Sequence, residues 1–188
     1  MRYINLIFFR VHKKLINFFN VDQRKKLIKR GLKIGKNFKM LPGCIIDPDH
    51  CWLIEIGDNV TLAPNVHILA HDTSTKEFLG YTKISSVTIR DRVFIGAGTI
   101  VLPGVVIENN VIVAAGSVVS KRLEKNSVYG GVPAKRLCSL DDYLDKTRKN
   151  FNKDNLFNEK FTLRKNINQN DKILMRQVLK KYKAGFVE

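Results

Sequence analysis

The chain has 188 residues, 44% of them hydrophobic, which suits one cored domain with appendages rather than several domains. Its formal net charge of +16 is uneven: residues 1–39 hold 12 Lys/Arg against 1 acid, residues 40–120 hold 4 against 8, and residues 121–188 hold 17 against 8. The basic character therefore belongs to the flanks, and an acidic centre excludes a nucleic-acid groove there.

The first element is a helix over residues 3–19. Ile4, Phe8, Val11, Leu15 and Phe18 recur at steps of four, three, four and three, while Arg10, Lys13, Lys14 and Asn17 face away. The apolar "YINLIFF" is cut by Arg10 short of the roughly 18 residues a membrane span needs, and no small-residue cleavage site follows, so neither a signal peptide nor a transmembrane helix is expected. A second short helix, "DQRKKLIKR", takes Asp22 as N-cap and Gly31 as its stop. Together residues 1–31 form a basic N-terminal helical segment with two open roles: capping the first turn of a repeat structure, or peripheral contact with an anionic membrane face. Three cysteines, Cys44, Cys51 and Cys138, match no CxxC spacing and cannot all pair within one chain. A reducing, cytoplasmic location fits them.

The centre is a repeat of six. "IRDRVF", "IGAGTI", "VLPGVV", "IENNVI" and "VAAGSV" begin at Ile89, Ile95, Val101, Ile107 and Val113, and Val119 continues the phase. Four residues after each start stand Val93, Thr99, Val105, Val111 and Ser117, small or β-branched throughout. The phase recurs upstream at Ile56, Leu62 and Ile68 and, more faintly, at Ile34, Met40 and Ile46. Six residues with one inward aliphatic make a short strand and a turn, and three such units close a triangular coil whose successive turns stack by parallel pairing. Ile68 and Ile89 lie 21 residues apart, not a multiple of six, so a loop at about 72–86 leaves the coil.

This repeat, followed by "GVPAKRL", resembles the hexapeptide-repeat acyltransferases, nearest to the galactoside and maltose O-acetyltransferases and the polysaccharide O-acetyltransferases of bacterial cell surfaces. The resemblance implies an all-β core, a left-handed parallel β-helix over about residues 32–137, with N-terminal and C-terminal α-helical extensions. It also implies a homotrimer, acetyl-CoA as co-substrate with no metal, and a sugar or glycan hydroxyl as acceptor, in lipopolysaccharide, capsule or related glycan synthesis. Two alternatives stay open: an N-acetyltransferase of a nucleotide-linked amino sugar, and a noncatalytic or metal-binding β-helix. Residues 138–188, with helical patterns near "LDDYLDKTRKNF" and "NDKILMRQVLKKYK", form a C-terminal extension that packs on or braces the assembly.

Within "NVHILAHDTST", His71 falls where the coil gives way to the loop. In the resembling enzymes a histidine after a stretch like "IGDNVTLAPNV" is the general base, and His71 takes that position. The chemistry asks for imidazole, because a sugar hydroxyl must lose its proton as it attacks a thioester. Asp72 is the adjacent candidate to orient it, with a backbone carbonyl or another carboxylate as the alternative. His67 closes its hexad as a structural residue. A zinc reading would add His50, but spacings of 17 and 4 do not reproduce the pattern of the carbonic anhydrases that share this fold. By the same resemblance the donor lies along Ala97, Ala115, Ser120 and Lys121, then Gly131, Pro133, Lys135 and Arg136, where small side chains admit a pantetheine arm and cations meet phosphates. Phe94 stands where the galactoside enzyme has an indole. For the acceptor, "IIDPDHCW" offers Asp47 and Asp49 as hydroxyl ligands, or as turn formers, and Trp52 as a stacking surface.

Overall fold

The computed structural model describes residues 23–188. The expected helix of residues 3–19 and the Asp22 cap lie outside them. Residues 23–29 are helical, and Gly31, at φ +106°, ends the segment in a conformation that disfavours any side chain. The chain forms two compact units, one ending at Leu140 and the other Asp141–Glu188.

In the first unit the hexads become two- and three-residue strands. They are β1 (Lys33–Ile34), β2 (Lys39–Met40), β3 (Ile45–Ile46), β4 (Ile54–Ile56), β5 (Thr61–Leu62) and β6 (His67–Ile68). A hairpin of β7 (His71–Asp72) and β8 (Lys83–Ile84) interrupts the series. It resumes with β9 (Val87–Ile89), β10 (Phe94–Ile95), β11 (Ile100–Val101), β12 (Val106–Ile107), β13 (Val111–Val113) and β14 (Val118–Val119). Three sheets result. Face A holds β1-β4-β9-β12, face B holds β2-β5-β10-β13 continued by β15 (Ser127–Gly130) and β16 (Lys135–Ser139), and face C holds β3-β6-β11-β14. All pairs between coil strands are parallel, and only β15–β16 in face B is antiparallel. The chain visits the faces in the order A, B, C and returns.

The core is the inside of this prism. The first-position aliphatics Ile46, Ile56, Leu62, Ile68, Ile89, Ile95, Val101, Ile107, Val113 and Val119 are all buried, as is the second column of Val60, Val66, Val93, Thr99, Val105, Val111 and Ser117. Both columns point inward because the corner between strands turns the chain before its pleat can alternate. The two buried hydroxyls are satisfied locally, each donating to the Ala114 carbonyl.

Corner A–B carries its own ladder. Asp58 accepts from the backbone N–H of Lys36, Asp91 from that of Asp58, and Asn109 from that of Asp91. One residue later, Asn37, Asn59, Arg92, Asn110 and Asn126 all sit at φ between +55° and +59°, and four of the five are Asn, the side chain that best tolerates that region after Gly. The "GDN" of "IGDNVT" is this corner.

Partner spacing locates the irregularities. Along face C, Val101 and Val119 are a regular 18 residues apart, Ile46 and Ile68 are 22, and Ile68 and Val101 are 33. The extra residues lie at 47–53 and 69–86, and both interruptions leave face C and rejoin face A. They stack at one corner in successive coils.

In the second unit, helices Leu140–Arg148, which starts at the boundary residue, and Gln169–Tyr182 agree with the helical patterns read from the sequence. A parallel pair, β17 (Leu156–Phe157) with β18 (Phe186–Val187), was not anticipated. Buried Asn155 organises it, donating to the carbonyls of Asn150 and Ala184 and accepting from the N–H of Asn152.

Candidate active site

The corner between faces C and A carries the site. In the first interruption, Pro48 and the turn residue Asp47 open a loop closed by a short 3-10 turn, Cys51–Leu53, with Cys51 buried. Asp47 is 1% exposed. Its Oδ1 accepts from the N–H groups of Asp49 and His50 at 3.0 and 3.1 Å, which fixes the loop. Its Oδ2 accepts from Ala70 N–H at 2.9 Å and lies 2.5 Å from His71 Nδ1, both on the next coil. One carboxylate thus ties the two interruptions together. Burial alone would push the Asp47 carboxyl up, but the Ala70 N–H, the His71 ring and the His50 and Asp49 N–H groups outweigh it, and Asp47 titrates below the ordinary carboxylate value.

His71 opens the second interruption at the base of β7, paired with Ile84 across the hairpin. It is half-buried and lines a cleft of about 500 Å³ with Leu69, Asp72, Thr73, Lys83, Leu102, Pro103 and Ser120. Leu102, Pro103 and Ser120 belong to the same corner in the two following coils, so the cleft runs along the prism edge. With Nδ1 held by a buried carboxylate, Nε2 is the ring nitrogen left for chemistry.

Two expectations need correction. The carboxylate against His71 is Asp47, not Asp72; Asp72 is exposed and accepts from Ser74 N–H at 2.9 Å, because adjacent residues on a strand point to opposite sides. Asp47 in turn has no oxygen free for a sugar, since both are engaged inside the protein. Asp49 and Trp52 remain at the surface of the same loop, Trp52 at 52% exposure. Trp52, His50 and His71 form a row of rings, with centroids 5.3 and 5.0 Å apart. The zinc reading sets His50 beside His67 and His71, yet His67 lies on β6 in face C, and the cluster of ligating atoms comprises Asp47, His50 and His71. The signal that was missed is the phase: Ile46 and Ile68 are each the third strand of a coil, so the segments that follow them must meet.

The residues assigned to the donor separate into two lines flanking face C. Ala97, Ala115 and Gly131 follow the corner between faces B and C, where Gly116 N–H donates to the Ala97 carbonyl and Val118 N–H to the Gly131 carbonyl. Ala134 N–H donates back to Val118, so "GVPA", with Pro133 exposed, adds a further edge to face C beyond β14. Close stacking explains the neighbouring Gly96, where a Cβ would stand 2.4 Å from Ala115 N, whereas Gly131 is set by its φ of +101°. Ser120 and Lys121 lie on the other line, with the cleft. Lys121, Lys135 and Arg136 are exposed, and Arg136 Nε also donates to Ser127 Oγ at 3.1 Å. Phe94 projects from face B, partly exposed.

Comparisons with known proteins agree with this architecture. The family described as bacterial transferase hexapeptide (six repeats) matches residues 86–121. Galactoside O-acetyltransferase of Escherichia coli is 33% identical over 117 residues, covering 59% of this chain and 55% of that one, so the chain spans little more than half of that relative. Protein CapG of Staphylococcus aureus is 35% identical over 145 residues, covering 72% of this chain and 83% of that one. A hexapeptide-repeat acetyltransferase from Vibrio cholerae, solved in complex with acetyl coenzyme A, superposes with a TM-score of 0.53 at 27% identity, covering 58% of this chain and 61% of that one. Repeat, coil and relatives converge: the chain belongs to the bacterial hexapeptide-repeat transferase family.

Proposed function

We propose that the protein is an acetyl-CoA-dependent O-acetyltransferase that acetylates a sugar hydroxyl of a lipopolysaccharide, capsule or related glycan, working in the cytoplasm as a trimer of left-handed β-helices. The observation that carries this reading is the pairing of buried Asp47 with His71, which lines a cleft along the coil edge. The relatives supply the donor and acceptor classes: one is named for galactoside O-acetylation and another was solved with acetyl coenzyme A.

In this reading Asp47 fixes the His71 tautomer with the proton on Nδ1 and stabilises the imidazolium that forms later. His71 Nε2 accepts the proton of the sugar hydroxyl as its oxygen attacks the thioester carbonyl. The tetrahedral intermediate then collapses, the C–S bond breaks, and the coenzyme A thiolate leaves and recovers a proton from His71. Trp52 offers a face for the sugar ring, and Ser120 lines the same cleft as His71. Lys121, Lys135 and Arg136 supply positive charge for the phosphates of the donor. Among the described residues no helix is long and apolar enough to cross a membrane.

Thiol release from acetyl-CoA, measured with hydroxyl and amino sugars in separate reactions, tests the reading. His71→Ala should lower turnover by about 100- to 10,000-fold while leaving acetyl-CoA affinity nearly unchanged, because the lost group acts on a proton in the transition state. A folded His71→Ala protein with near-normal turnover would remove His71 as the base, and transfer only to amines would replace the sugar hydroxyl by an amino sugar.

A further inference from the structure

We propose that Asp47, His50 and His71 form a binding site for a divalent ion of the zinc class, and that an ion bound there takes the His71 imidazole out of service. Each of the three residues offers one ligand atom, and these atoms lie within 4.8 Å of one another. Among the described residues this is the one such group of three. A second observation concerns His50 itself: its Nδ1 is shielded from solvent and has no hydrogen-bond partner. Buried imidazole nitrogens are ordinarily satisfied by a donor, an acceptor, water or a metal, and this one sits beside a carboxylate and a second imidazole.

The donor set selects the ion. Two imidazoles and a carboxylate match zinc and its neighbours in the first transition row, whereas magnesium and calcium prefer all-oxygen shells. Bond lengths of about 2.0–2.2 Å place ligand atoms roughly 3.4 Å apart around a tetrahedral ion, so the 2.5 Å contact between Asp47 Oδ2 and His71 Nδ1 opens and the ion takes the Asp47 oxygen in place of that hydrogen bond. Three protein ligands leave a tetrahedral ion one coordination position for water or another ligand. The site is also local to one chain, because both coil interruptions that supply it stack at one corner.

The consequence for His71 follows from imidazole chemistry. If the ion takes Nε2, the basic lone pair is occupied. If it takes Nδ1, the neutral ring carries its proton on Nε2 and again has no lone pair for the substrate. Metal binding and proton abstraction are therefore mutually exclusive, and this inhibitory consequence rests on the acetyl-transfer reading, while the binding itself does not.

Calorimetric titration of the metal-free full chain with zinc chloride, in a buffer without chelating ions, should show one strong site per chain. His50→Gln should weaken it at least about tenfold, and His67→Gln should leave it unchanged. Cobalt(II) added to the unaltered protein should give the visible absorption of a low-coordinate nitrogen-oxygen site, a readout that needs no variant and no turnover. Zinc should then lower acetyl transfer in step with occupancy, with recovery on adding EDTA. Absence of the cobalt spectrum, or equal weakening by the His50 and His67 substitutions, overturns the metal site. Tight binding with undiminished acetyl transfer overturns the inhibition, and binding without any acetyl transfer in the metal-free protein leaves the site standing and removes the proposed function.

Discussion

At the scale of single residues, the division of labour between Asp47 and Asp72 depends on geometry that chain adjacency misrepresents. Asp72 touches His71 along the chain but points into solvent, whereas Asp47, 24 residues earlier, is buried beneath the ring and holds it by Nδ1. Asp47→Asn is the variant that isolates this role. The amide keeps the shape but has one oxygen where the carboxylate has two: with that oxygen on the turn N–H groups its NH2 faces Ala70 N–H and His71 Nδ1 and disturbs the tautomer, in the reverse orientation the turn bonds are lost instead, and in both the imidazolium loses its charged partner. Turnover should fall by about 100- to 10,000-fold, with KM for acetyl-CoA changed far less, and the variant should remain folded. An equal loss in binding and turnover, or none in either, would show that Asp47 only fastens the loop. In the sequence the break in period marks His71 as a coil-to-loop junction, and its candidacy as a base comes from the family resemblance. It hid Asp47, because "DPD" has the same appearance whether its carboxylate faces water or the next coil.

At the scale of elements, the hexads were legible almost residue by residue, since a buried first position and a small, buried fifth position leave a pattern that neither helix nor ordinary strand produces. The same repetition exposes one local exception. In the corner ladder between faces A and B, Arg92 occupies a left-handed position at φ +55° where the neighbouring coils place Asn59 and Asn110. Its Nε bonds Asn110 Oδ1 at 2.6 Å, while Asn37–Asn59 and Asn110–Asn126 make amide-to-amide bonds at 3.0 and 2.7 Å. Arg92→Asn should relieve part of the left-handed penalty, which is about 1–2 kcal/mol for an ordinary side chain, and should complete the amide ladder. The expected gain is about 0.5–1 kcal/mol, a rise in Tm of roughly 1–4 °C by calorimetry. A lower Tm would mean that the guanidinium bond outweighs the backbone strain. The pairing of β17 with β18 in the second unit was not legible, because two-residue strands held by Asn155 carry no period.

At the scale of the whole molecule, the first unit leaves apolar side chains in solvent where a lone prism has nothing to cover them. The hairpin between β7 and β8 carries Phe78 at 86% and Tyr81 at 80% exposure, together with exposed Leu79 and Ile84. This hairpin grows from the corner that holds His71, so whatever covers it also borders the cleft. Like-with-like association about a threefold axis would cover the same hairpin on every copy and add a second wall to each cleft. Light scattering should give about three times the 21.5 kDa of the chain. Phe78→Asp with Tyr81→Asp should shift the protein toward the monomer and lower turnover together, since charge on that surface opposes burial without touching Asp47 or His71. A monomer that acetylates sugar as fast as the parent would show that one prism edge forms a complete site. An intact trimer in the double variant would show that the hairpin stays in solvent and that the copies meet through another surface.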